Sequence, residues 1–407
     1  MKLSTPLLSL STAVLLTGCK IQLTALDGGD IYAKNAGFVC DEQTTCSANV
    51  DDTTFNESFQ PRAKEGYTFD SWVAGDGLFC GGKKGTCDLS TAGFEGNQPL
   101  LDVLDSGREF YLIARFKPEC YSGSSELGGM YREPLRLCRE GSPYTVTSDI
   151  QLGPEAPLFI DAGVTLNSTS PTGNRIVAYS NLYLLGKPKQ KVRINDLNIE
   201  TAYNGQTSTI DINHTLITYP KTQDVRTPSL DMVFTEAGGY ARLTDSEIHA
   251  SVFFNAGTSE RVSSTLSSGK SPLMATRIER NRFVDSGLLL LIDTELLIKN
   301  NLWSGEGTEL VVRRAGKSKI VATQNSFLAT TPESSFPGSE SQWNNSVIIE
   351  PNSTSQEVDL SNNFWGTTNR AEVADEIWDA NDTFDVEVTG VFEPVLGKPH
   401  PKTPAVD

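Results

Sequence analysis

One register recurs through the C-terminal part of the chain. An aliphatic residue is followed three positions later by a turn residue and five positions later by a large apolar one. The instances are Ile194/Leu197/Ile199, Ile212/Thr215/Ile217, Leu243/Ser246/Ile248, Ile278/Asn281/Phe283, Ile298/Asn301/Trp303, Ala322/Asn325/Phe327 and Leu360/Asn363/Trp365. Their first members lie 18, 31, 35, 20, 24 and 38 residues apart. A base period near 20 residues with insertions marks a solenoid, in which a strand–turn–strand unit buries its apolar side only by stacking on its neighbours. Hairpins in a β-sandwich would put turns about every 8–12 residues. No helical period of useful length precedes Ala371. The expected fold is therefore all-β: a right-handed parallel β-helix over residues 142–396, preceded by a small disulfide-containing β domain. Phe283, Trp303, Phe327 and Trp365 are expected to form one internal column. Asn281, Asn301, Asn325 and Asn363 are expected at the turns, where Asn tolerates the left-handed conformation and can hydrogen-bond as a ladder. A sugar-contact role for these Asn residues is the alternative. The Leu288–Ile292 run reads as a core strand, far too short to cross a bilayer.

The N-terminus reads differently. Lys2 gives a positive start and Leu7 to Leu16 a short apolar stretch, as in an export signal. Cys19 follows Leu16-Thr17-Gly18. Six further cysteines, Cys40, Cys46, Cys80, Cys87, Cys120 and Cys138, all precede residue 139. An even count in an exported chain implies disulfides, and sequence proximity groups them as 40/46, 80/87 and 120/138. Zinc is disfavoured because paired Cys-x-x-Cys clips are missing and no His is near. The expected organisation is a signal segment over 1–18, a β domain over 19–118, a disulfide-closed link over 119–141, the β-helix over 142–396 and a tail over 397–407.

Three resemblances follow from these residues. Leu16-Thr17-Gly18-Cys19 resembles the lipobox of bacterial lipoproteins. In that family the signal is cleaved before the Cys, which becomes the acylated N-terminus, so the resemblance implies a lipid anchor on Cys19. With Lys20 rather than Asp next, it also implies the cell envelope, at the outer membrane. Pro61 to Trp72 and the strand Phe110 to Phe116 resemble the internalin-type B-repeat, a small β-grasp-like spacer or ligand-contact module. Two segments resemble the first and terminal coils of right-handed β-helix surface proteins of the pectate-lyase-like superfamily: Ser142 to Leu166, and Asn362-Asn363-Phe364-Trp365-Gly366 with Ile377 to Asp382. This fold carries lyases, hydrolases, adhesins and inert scaffolds alike.

Without Lys2 the chain holds 33 Lys and Arg against 51 Asp and Glu, formally −18. That excess repels polyanions, so nucleic acid is not an expected partner. A polysaccharide lyase needs cations to neutralise a uronate and a base for the adjacent C–H. The basic clusters are Arg277/Arg280/Arg282 and Arg313/Arg314/Lys317/Lys319, held as candidate ligand contacts but read first as solvated faces. His249 has no evident partner, and His214, His249 and His400 are far apart in sequence. A glycosidase needs paired carboxylates; Asp285, Asp293, Glu306 and Glu309 lie in neighbouring coils. Asp375, Glu376, Asp379, Asp382 and Asp385 supply oxygen ligands suited to calcium, but in no calcium-loop order, so capping and solvation are expected and no cofactor is assigned. The reading is a membrane-anchored lipoprotein whose β-helix is a non-catalytic module for a carbohydrate or protein ligand. An anchored lyase or glycoside hydrolase is the alternative.

Overall fold

The structure is a computed structural model. It describes residues 19–75, 77–106, 108–202, 209–218, 230–234, 240–256, 277–292, 296–314, 320–330, 345–350 and 358–405, with the backbone alone for Phe234, Ala256, Ile292 and Arg314. The chain divides into two compact units, Met1–Lys64 with Phe69–Phe116, and Glu65–Thr68 with Lys117–Asp407.

The second unit is a parallel β-helix-like stack. Its first sheet has ten strands in strict chain order: Leu135–Leu137, Leu158–Asp161, Leu182–Leu185, Ile210–Asn213, Ala241–Thr244, Arg277–Glu279, Leu296–Lys299, Ile320–Thr323, Val358–Asp359 and Gly390–Val391. Every neighbouring pair is parallel. Two further parallel rows diverge from the long strand Tyr144–Leu152. Its first half pairs with Thr165–Ser168 and its second half with Asn174–Ala178. Apolar residues at alternate positions, such as Leu182/Leu184, Ile210/Ile212 and Leu296/Ile298, face one continuous interior.

Six of the seven registers stack as expected. Ile212, Leu243, Ile278 and Ile298 are successive partners in the first sheet, and Ile217, Ile248, Phe283, Trp303 and Phe327 run alongside them. The aromatic column forms, with ring centroids 4.9 Å apart for Phe283–Trp303 and Trp303–Phe327 and 4.5 Å for Phe327–Trp365. The seventh register is a correction. Ile194/Leu197/Ile199 lies at a different corner, and the true partner of Ile212 is Leu184. The 18-residue step is thus less than a coil.

The Asn ladder is complete and fully buried. Each Nδ2 donates to the next Oδ1, at 3.0 Å for Asn281 to Asn301, 3.0 Å for Asn301 to Asn325 and 3.2 Å for Asn325 to Asn363. The same oxygens accept the backbone N–H of Asn281, Asn301 and Asn325 at 2.8–2.9 Å. Sequestered in this way, the ladder does not contact a sugar. The left-handed conformation falls one residue earlier than expected, on His214, Asp245, Arg280, Asn300, Gln324 and Asn362, with φ between 45° and 59°. That costs a non-glycine residue roughly 1–2 kcal/mol. The buried bonds of the following residue hold the turn in place.

Residues 119–141, expected as a link, belong to the stack. Glu126–Tyr131 pairs in parallel with Tyr144–Leu152, and Leu135–Leu137 opens the first sheet. Leu127, Leu135 and Leu137 are buried and extend the core, a pattern that the Ser/Gly run before them obscures. The tail also docks here, Thr403 Oγ1 donating to Gln324 O at 2.9 Å.

The first unit has two four-stranded sheets. One has the order Thr45–Val50, Cys19–Ala25, Glu109–Pro118, Tyr67–Trp72. Its second and third strands are parallel, and the first pair is antiparallel. The other, Phe38–Cys40, Gly29–Ala33, Asn56–Ala63 and Cys87–Ser90, is antiparallel throughout. Phe69 and Trp72 meet edge to face at 5.5 Å. Their spacing of three is not a strand period; Trp72 is the strand's last residue, fully buried with its Nε1 donating to Gly85 O at 2.6 Å. The disulfides are 40–46, 80–87 and 120–138, with Cα separations of 5.7, 5.9 and 5.7 Å. The first two close this unit, and the third closes the first coil of the other.

Candidate functional site

The corner that carries the left-handed residues also gathers charge. His214, Asp245 and Arg280 occupy the same turn position in successive coils. Arg280 makes a fork to Asp245, Nε–Oδ1 at 2.7 Å and Nη2–Oδ2 at 2.8 Å, and its Nη1 reaches Glu279 Oε2 at 2.9 Å. Glu279 also takes Arg277 Nη1 at 3.4 Å. Burial pushes the His214 pKa down; Asp245 opposes this, while Arg280 and Lys191 reinforce it.

A second group adjoins it through Lys191. Lys191 Nζ lies 3.4 Å from Glu247 Oε2, and His249 Nε2 lies 2.9 Å from Glu247 Oε1. Glu247 and His249 are two apart on one strand, so they share a face. Burial works against the Glu247 carboxylate, but His249 and Lys191 together hold its pKa below the ordinary value. Arg282 is the in-register neighbour of Glu247 on the next strand. Two histidines that looked isolated in sequence thus meet one charged patch, and His249 has a partner that sequence reading missed. The i, i+2 spacing in Glu247-Ile248-His249 was the available signal.

Among the described residues, arginines of both basic clusters are held by acids. Arg277 is buried and Arg280 is half-buried, and both are held by acids. Arg313 is forked onto Glu350, at 2.7 and 3.0 Å. The side chain of Arg314 and residues Lys317, Lys319 and Asp293 lie outside the described residues. A buried pair that was not anticipated lies beside the patch. Arg242 Nη2 meets Asp211 Oδ2 at 2.8 Å, and Tyr240 donates to the same oxygen at 3.0 Å. Burial works against the Arg242 cation, yet Asp211 keeps its pKa above the ordinary value.

The acidic candidates separate as well. Asp285 is exposed and accepts the backbone N–H of Glu306 at 3.0 Å. Glu309 is fully buried, accepts the Ala329 N–H at 2.6 Å and has its pKa raised well above the usual range by burial. Asp285 is thus at the surface and Glu309 in the interior. Asp231 was missed: burial, with Glu200 beside it on the neighbouring strand, pushes its pKa up to about 7. The C-terminal acids bind backbone. Asp379 accepts the N–H groups of Asn381 and Gly390 at 2.8 and 2.7 Å, and Asp382 accepts that of Asp379 at 3.0 Å. Glu376 accepts from Ser346 Oγ at 2.8 Å.

Cys19 belongs to the first unit. It is 4% exposed, at the start of the strand Cys19–Ala25 in the first unit. Among the described residues it is a free cysteine, while the other six are paired. No protein-family model, curated protein or solved structure matches this chain.

Proposed function

We propose that the chain is a cell-envelope lipoprotein, anchored at the outer membrane through acylation of Cys19. Its right-handed β-helix serves as a non-catalytic module for a polysaccharide or protein ligand. The observation that carries the anchor is the cysteine pattern. Three local disulfides consume six cysteines and leave unpaired the one that follows Leu16-Thr17-Gly18. The binding reading is supported by the patch of Lys191, Asp245, Glu247, His249 and Arg280, which offers donors and acceptors already fixed by mutual ion pairs. Such a surface recognises a polar ligand without leaving a strong nucleophile or a free cation.

The second reading, an anchored polysaccharide-degrading enzyme, is favoured by one feature. Glu247 orients His249, as a carboxylate orients a general base. One experiment addresses the anchor and the module. Cys19→Ser should release the protein from membranes or leave an uncleaved precursor; unchanged fractionation with unchanged lipid labelling refutes the anchor. The wild type should bind members of a glycan array or a protein ligand without releasing unsaturated uronate or reducing ends. Cleavage that is lost in Glu247→Gln establishes the enzyme reading instead.

A further inference from the structure

Alternate residues of the strand Cys19–Ala25 face the core of the first unit, so Cys19 shares a face with Ile21 and Leu23. That face borders an open pocket of about 270 Å³. Its walls include Cys19, Ile21, Phe55, Phe79, Leu104 and Phe110, and its polar lining consists of the hydroxyl residues Ser90 and Thr91. Among the described residues, no charged side chain lines it. Phe79 and Phe110 stack at 4.9 Å to form one wall. The helix Gln98–Leu104 buries Leu104 and leaves Leu100 and Val103, which also line the pocket, half-covered.

We infer that this pocket holds an acyl chain carried by Cys19, so that the domain shelters part of its own lipid. The inference rests on the lipoprotein reading above. Three observations choose this occupant. The walls suit hydrocarbon and offer no partner to a charged headgroup. The point of attachment is itself part of the wall, so the occupant is tethered and needs no separate recognition. Cys19 is already hydrogen-bonded into the central sheet, paired with Val50, and Lys20 donates its N–H to Arg108 O at 3.0 Å. No spacer therefore separates the modified residue from the fold, and its substituent meets the pocket before it meets a bilayer. The buried thiol is also a poor reactant in the folded unit, so acylation precedes insertion of this strand. Anchoring is then a partition of the chain between pocket and membrane.

The test uses the mature full-length protein from cells fed a diazirine-bearing fatty acid. Intact mass first establishes whether Cys19 is acylated. Irradiation should then cross-link the label to peptides containing Phe55, Phe79, Leu104 or Phe110. Val103→Trp and Leu100→Trp, at half-covered helix positions, should fill the opening and reduce these cross-links at least tenfold. Acylation and the 40–46 and 80–87 disulfides should be unchanged in both variants. Acylated Cys19 with cross-links only to surrounding lipid overturns the pocket and leaves the anchor standing. Cross-links undiminished in both variants overturn it too. An unacylated Cys19 overturns both, including the case where pocket peptides are protected by residues 7–16 of an uncleaved precursor.

Discussion

The two units solve the same problem by different means. The first is built from short strands, mostly antiparallel, and is stapled by two disulfides with sequence separations of 6 and 7. The second repeats one corner and lets identical positions meet, Asn on Asn and ring on ring, over coils whose lengths vary widely. A small core needs covalent closure to offset chain entropy. A stack gains stability from each added coil and tolerates insertions between its strands. In the proposed reading the covalently closed unit carries the anchor and the stack carries the binding face.

The comparison is most sharply broken by removing the staples. Replacing Cys40, Cys46, Cys80 and Cys87 with Ala removes two closures worth about 2 kcal/mol each, together a large share of a small domain's stability. Limited proteolysis should then cut the first unit while the stack survives. Within the stack, Phe283→Ala or Phe327→Ala should cost about 3–5 kcal/mol in urea unfolding, because each leaves a cavity in the ring column. Asn301→Ala removes the acceptor for the Asn281 N–H and should cost about 1–3 kcal/mol for each buried group left unpaired. Arg313→Ala breaks a partly exposed pair and should cost no more than about 1 kcal/mol.

A further expected effect is in pH dependence. The Asp231 carboxyl titrates near 7 in the folded state, against 3.8 as its ordinary value. Between those values the folded state holds the proton that the unfolded chain has lost, so stability falls as pH rises through this window. Asp231→Asn should flatten that decline in the urea midpoint between pH 4 and 7. An unchanged slope refutes the assignment. The effect is reduced by solvent screening, since Asp231 is only partly buried.

Much of the stack was legible because its signal is local. Ile278, Asn281 and Phe283 sit within six residues, and burying them fixes their neighbours in the next coil. The proximity pairing of the cysteines was legible for the same reason. The left-handed residue was misplaced by one because Asn satisfies both roles on paper; the ladder claims Asn281, and the strained conformation falls on Arg280. The first register was misassigned because Ile194/Leu197/Ile199 imitates the pattern at another corner. The charged patch was not legible as a site. Lys191, His214, Asp245 and Arg280 are joined by coil stacking across insertions of unequal length, and no sequence period reports that distance. Glu309 was grouped with Asp285, Asp293 and Glu306 as a candidate paired carboxylate, but it is fully buried and accepts the Ala329 N–H, which no spacing in the sequence reports.

The second unit is one parallel stack in chain order, and distances between spin labels report that order. Gln151, Val177, Glu200, Asp231, Phe253 and Leu289 follow one another in register on adjacent strands. Adjacent strands are about 4.8 Å apart, so the backbones of Gln151 and Phe253 should be about 19 Å apart and those of Gln151 and Leu289 about 24 Å. Labels on cysteines placed at these positions in Cys19→Ser, with the native disulfides intact, should show the second distance longer by one strand spacing. A Leu289 label no farther from Gln151 than the Phe253 label, as in a β-sandwich whose strands are not ordered along one stack, contradicts the stack.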